Sequence, residues 1–90
     1  SLISAKLDLH GLTLEKAHGA FLAFIMEAAI LGHAKVLVIT GKGKNGESLI
    51  KKELRHWAAN IGFAKLDVIK AENRHGGGGA VYIKIRQVDF

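Results

Sequence analysis

The sequence predicts a two-layer α/β sandwich, a four-stranded mixed sheet with two helices in the order β-α-β-α-β-β. Two observations carry this prediction. Apolar runs of strand length recur at residues 3–10, 35–40, 66–71 and 80–86. Between the first three of them lie longer stretches whose apolar residues recur at helical spacing. Ninety residues suffice for one domain with one core. The expectation is a single domain, residues 1–90, taken from a longer protein.

The first strand alternates. Ile3, Ala5, Leu7 and Leu9 share one face, and Lys6, Asp8 and His10 share the other. Gly11 breaks it. Thr13 is a good helix N-cap, with Glu15 in the first turn where the helix dipole favours a carboxylate. Leu14, Ala17, His18, Phe21, Phe24, Ile25, Ala28 and Leu31 mark one long amphipathic helix, closed by Gly32. Val36 to Ile39 is a continuous β-branched and aliphatic run, expected to be buried on both faces. Ser48 opens a second helix with an apolar stripe of Leu49, Ile50, Leu54, Trp57, Ala58 and Ile61. Its other face carries Lys51, Lys52 and Arg55. Leu66 to Ala71 is a third strand. Glu72 to Gly79 reads as a loop, because four consecutive glycines fit no regular element. In the last strand Val81, Ile83 and Ile85 face one way and Tyr82, Lys84 and Arg86 the other.

The chain carries 13 Lys and Arg against 8 Asp and Glu, a formal charge of +5, which points to an anionic partner or to solubility. There is no cysteine, so disulfides and thiolate chemistry are excluded and a reducing, cytoplasmic setting is expected. No apolar run reaches the roughly 18 residues of a membrane span, and no membrane partner is expected.

Three polar segments carry candidate chemistry. Strand, helix, strand over this length is a right-handed βαβ unit, so the first two strands should be parallel and end on one edge. If the third strand is parallel to the second, its loop joins them there, where open α/β sheets bind ligands. Thr40-Gly41-Lys42-Gly43-Lys44-Asn45-Gly46 runs from a strand toward a helix start, which suits phosphate. It fits a dinucleotide fingerprint by spacing, but the chain has no room for the second half of such a fold. It falls short of a nucleotide P-loop because Glu47 stands where the gripping lysine belongs. The same residues also fit a flexible turn with solvated lysines. Asp8 and His10, two apart on one face, form a carboxylate–imidazole unit suited to proton transfer near neutral pH; they also fit a solvated sheet edge. His75 precedes Gly76, Gly77, Gly78 and Gly79, whose amides could meet a phosphate. His18, His33 and His56 read as structural or solvated. The spacing of Asp8, His10 and His75 is no recognised zinc pattern.

Leu7-Asp8-Leu9-His10-Gly11, Thr40-Gly41-Lys42-Gly43 and His75-Gly76-Gly77-Gly78-Gly79-Ala80 together resemble the LDLHG, TGKG and HGGxGA signatures of the Smr (small MutS-related) domain family. The resemblance spans essentially the whole chain, and the intact first motif is most similar to stand-alone bacterial Smr proteins. It implies an α/β sandwich like the C-terminal domain of translation initiation factor three. It also implies DNA nicking or RNA cleavage, with some members acting in mismatch repair, recombination control or mRNA cleavage at stalled ribosomes. In the family the Asp and His of the first motif are implicated in cleavage, and they match Asp8 and His10. The variable position of the third motif is another glycine, Gly78, which predicts a loose loop.

The expected function is therefore an endonuclease domain on DNA or RNA. Asp8, His10 and His75 would do the chemistry. Thr40, Gly41, Lys42, Gly43, Lys44, Lys51, Lys52, Arg55, Gly76, Gly77 and Gly79 would hold the nucleic acid. An RNA substrate needs no metal; a DNA substrate brings in a divalent ion such as Mg2+ on Asp8. Ribosomal or repair partners would be met through regions outside residues 1–90. The alternative is a non-catalytic DNA- or RNA-binding module using the same rim.

Overall fold

The computed structural model describes residues 2–43 and 48–87. The elements run β1 (Ala5–Asp8), α1 (Leu14–Ile30), β2 (Lys35–Ile39), α2 (Leu49–Ala59), β3 (Ala64–Lys70) and β4 (Ala80–Gln87). Two 3₁₀ turns, Asn73–His75 and Gly77–Gly79, precede the last strand. This is the expected order. Local chemistry explains both helix starts. The Thr13 hydroxyl accepts from the Lys16 N–H at 3.2 Å, and the Ser48 hydroxyl from the Lys51 N–H at 3.0 Å. Past α1, Gly32 turns the chain at φ +74°.

The sheet order is β1-β2-β4-β3. β1 and β2 are parallel, joined across α1. β4 lies between β2 and β3, antiparallel to both. β3 thus runs in the direction of β2, as expected, but does not touch it. The connection from β3 to β4 is too short for a crossover, so β4 must fold back antiparallel. Three strands end, and β4 begins, at one edge of the sheet.

Both helices pack on the same face. The main core joins Ala17, Phe21, Ile25 and Ala28 of α1 and Ile50, Leu54 and Ala58 of α2 to Leu9, Val36, Val38, Val81 and Ile83. The other face carries no helix among the described residues. It holds a smaller cluster of Leu37, Ala71, Ala80 and Tyr82, with Ile3 and Ile39 against it. Register fixes what shares that face. Asp8 pairs with Ile39 and Ile39 with Ala80; Lys6 pairs with Leu37 and Leu37 with Tyr82. Side chains opposite one another point the same way, so Asp8 and Tyr82 belong to the helix-free face.

Several expectations need correcting. β1 covers only Ala5–Asp8; Leu9, though fully buried, lies beyond it and anchors the turn through its N–H to the Ile39 carbonyl at 2.7 Å. β3 begins at Ala64 rather than Leu66. Leu14, Leu31 and Leu49 continue the helical stripes by spacing, but they sit at helix ends beyond the reach of the sheet and are 36%, 61% and 58% exposed. The glycine run is not irregular. Gly76 at φ +112° closes the first 3₁₀ turn, and Gly77 to Gly79 form the second. Positive φ at Gly76 and Gly77 is open to glycine at little steric cost.

Leu54 is fully buried where α2 meets the sheet, whereas Leu49 on the same helix is exposed. Leu54→Ala should therefore cost roughly 2–5 kcal/mol in urea unfolding, and Leu49→Ala no more than about 0.5 kcal/mol.

Candidate nucleic-acid interface and active site

The three polar segments meet through backbone. The N–H groups of Thr40 and Gly41 both donate to the Gly79 carbonyl, at 2.8 and 3.0 Å. Gly41 in turn lies against His10: a Cβ built on Gly41 would stand 3.4 Å from the His10 Cβ. On the far side, a Cβ on Gly79 would stand 3.2 Å from the Lys42 Cγ and 3.4 Å from the Gly41 carbonyl carbon. A side chain at position 79 would require the Lys42 stem to give by a few tenths of an ångström. Lys51 adds a strut from α2, its ammonium donating to the Gly78 carbonyl at 3.0 Å.

Asp8 and His10 form a unit. Asp8 Oδ1 accepts from the His10 backbone N–H at 3.0 Å and lies 2.6 Å from His10 Nδ1. An ionised carboxylate only accepts, so the Nδ1 position carries the proton and Nε2 is left as an acceptor. The side chains are 48% and 67% exposed, so the ring is held from one side and open on the other. The His10 imidazole bond holds the Asp8 carboxyl below its ordinary value of 3.8, against a smaller upward pull from partial desolvation. The His10 N–H and the charge of Lys6 add to the lowering. What this pairing contributes to stability is present in full above the ordinary value and is lost as pH falls through the lowered one.

His75 is oriented by Tyr82, a residue that sequence reasoning passed over. His75 Nδ1 lies 2.5 Å from the Tyr82 hydroxyl, with the rings edge to face at 5.6 Å between centroids. That hydroxyl also accepts from the Glu72 N–H at 3.3 Å. Tyr82 is only 4% exposed, and its own proton needs a partner. Donating it to His75 Nδ1 satisfies both groups and leaves the His75 proton on Nε2. The alternation of β4 placed Tyr82 with Lys84 and Arg86. The available signal was its phenol, a polar tip on a large ring, in a strand that begins directly after the glycine run.

Several expected contacts are used up internally. The N–H groups of Gly76, Gly77 and Gly79 donate to Asn73, Glu72 and Gly76 carbonyls within the 3₁₀ turns, and those of Thr40 and Gly41 go to Gly79. The expected amide cradle for phosphate is thus largely spent on the fold. Thr40 is 1% exposed, with its hydroxyl donating to the Gly41 carbonyl at 3.2 Å. Lys51 is 8% exposed and faces the glycine turn rather than solvent. Both side chains make internal contacts at the rim. Lys42, Gly43, Lys52 and Arg55 are exposed. Lys44 and Glu47 lie outside the described residues. His18 stacks on Trp57 at 4.7 Å and serves packing, as expected. Among the described residues no three His, Asp or Glu side chains gather as a metal-binding group, and no helix is long and apolar enough to cross a membrane.

The Smr domain family model matches residues 7–86. The chain belongs to the Smr domain family. Its Smr fold is similar to the crystal structure of the Smr domain of Thermus thermophilus MutS2, with a TM-score of 0.79 and 23% identity over 91% of this chain and 98% of that one. It is also similar to YdaL, a stand-alone small MutS-related protein from Escherichia coli, with a TM-score of 0.77 and 26% identity. That match covers 89% of this chain and 64% of YdaL. A search of curated proteins finds no match. In this Smr domain the second and third signature segments are joined at the Gly79 carbonyl, and His10 of the first lies against Gly41.

Lys51→Met should remove the strut and leave the Gly78 carbonyl without its charged donor. The expected cost is about 1–3 kcal/mol, with faster hydrogen exchange at the Thr40, Gly41 and Gly79 amides. Lys52→Met, at an exposed position of the same helix, should change neither.

Proposed function

We propose that this Smr domain is a nucleic-acid endonuclease whose general base is His10. The observation that carries the reading is the Asp8–His10 pair, with Nδ1 tied down and Nε2 turned out beside the loop cluster. A carboxylate behind an imidazole fixes its tautomer and stabilises the imidazolium that forms when it takes a proton. Family membership and the net charge of +5 support a phosphodiester as substrate.

On RNA, His10 Nε2 takes the proton of the 2′-hydroxyl, the 2′-oxygen attacks phosphorus, and the bond to the 5′-oxygen breaks. The leaving oxygen is protonated from water at this open site. His75 presents an Nε2–H and serves better as a donor to a phosphate oxygen than as a proton acceptor. Lys42, exposed beside the Gly79 turn, adds positive charge to the rim. On DNA, water must be the nucleophile. Asp8, one of whose oxygens is bonded to His10, fits as one carboxylate ligand of a magnesium ion, which would supply charge neutralisation at the phosphate.

Incubation with labelled single-stranded RNA, structured RNA and supercoiled DNA, with and without EDTA, tests this directly. Asp8→Ala or His10→Ala should lower cleavage at least about 100-fold with unfolding midpoints nearly unchanged, since both side chains are exposed. Full activity in the doubly substituted protein would contradict the assignment. Salt-sensitive binding with no cleavage product would leave the rim as a binding module.

A further inference from the structure

Beside His10 a cleft of about 470 Å3 opens between the starts of α1 and α2. Its walls are Leu12 and Leu14 on one side and Leu49 and Ile50 on the other, with Gly41 between them and His10 at the margin. This volume falls within the roughly 300–1,000 Å3 of small-ligand sites. Leu12, Leu14 and Leu49 are 38%, 36% and 58% exposed. Three leucines at and before two helix starts thus leave apolar surface in water around one opening, and His10, the proposed base, borders it.

We infer that this cleft takes the unpaired base of the nucleotide next to the scissile phosphate, so that the domain selects single-stranded over duplex nucleic acid. The inference rests on the cleavage reading for where the phosphate lies. Because His10 borders the cleft, the nucleotide that reacts at its imidazole has its neighbouring base within reach of the leucines. The leucines offer apolar surface, and a substrate that reacts at His10 brings an anion with it. A nucleobase attached to its phosphate meets both demands. In a duplex the bases are stacked and show only their edges to the grooves. Only a splayed, unpaired base offers a face to a leucine-lined slot.

Equilibrium binding tests the inference without relying on cleavage. The probe is a short fluorescein-labelled 2′-O-methyl oligonucleotide, alone or annealed to its complement, followed by anisotropy in EDTA at one low salt concentration. The single strand should bind about tenfold more tightly than the duplex. Leu12→Ser/Leu49→Ser should bring the single strand down to the duplex level, and Lys42→Ala should weaken both forms alike. An oligonucleotide of abasic sites should reproduce the loss on the unaltered protein, which decides the matter even if the double variant does not fold. Equal affinity for strand and duplex, an unchanged preference in the double variant, or undiminished binding of the abasic strand would each overturn the subsite. A domain that shows the preference but never cleaves would refute the nuclease reading and leave the subsite standing.

Discussion

Two backbone amides, those of Thr40 and Gly41, converge on the carbonyl oxygen of Gly79, and the geometry of the site depends on that pair of bonds. They tie the end of β2 to the start of β4 at the sheet edge where β1 also ends. Since β1 and β2 are parallel neighbours, fixing the loop after β2 fixes the wall against which His10 stands. A side chain at position 79 would press on the Lys42 stem and the Gly41 backbone. The glycine run is therefore a fitted part, braced on its outer side by the Lys51 ammonium.

The bracing explains a trade. Glycine amides left open would suit a phosphate, yet the amides of Gly76, Gly77 and Gly79 are consumed in two 3₁₀ turns. Those donors hold the turns in place, and the positive charge left at the surface is that of exposed lysines such as Lys42 and Lys52. The two histidines are set to complementary roles by different partners. A carboxylate, which can only accept, leaves His10 with an outward acceptor. A buried phenol whose proton needs a home leaves His75 with an outward donor. Asp8 and Ala80 share a cross-strand row, two strand spacings apart, or roughly 10 Å, and the His75 ring rests on Tyr82 of that same face.

Much of this was legible in the chain. Strand and helix order follows from periodicity, and the βαβ unit by itself puts Asp8, His10 and the Thr40 loop on one edge. Pairing of Asp8 with His10 is expected from a spacing of two in a strand, whereas the strand ends at Asp8 and the pair is held in the turn by the His10 N–H donating to the Asp8 carboxylate. What stayed hidden depended on partners distant in sequence. Lys51 reads as one more cation on a basic helix face; only the packing of α2 shows it reaching 27 residues along the chain to Gly78. Four glycines carry no side-chain pattern, so nothing local announces the 3₁₀ turns that tertiary hydrogen bonds stabilise. Tyr82 alternates correctly for a strand, and its role emerges only once the preceding turn folds His75 back over it. Leu14 and Leu49 continue helical stripes by spacing, but a stripe does not say where the sheet beneath it stops.

The central claim is that this rim presents one outward acceptor, on His10, and one outward donor, on His75. Long-range proton–nitrogen correlation spectra of the imidazoles, recorded at a pH where both rings are neutral, read the two tautomers directly. His10 should carry its proton on Nδ1 with a bare Nε2, and His75 its proton on Nε2 with a bare Nδ1. A His10 ring protonated on Nε2, or a His75 ring protonated on Nδ1, would contradict it.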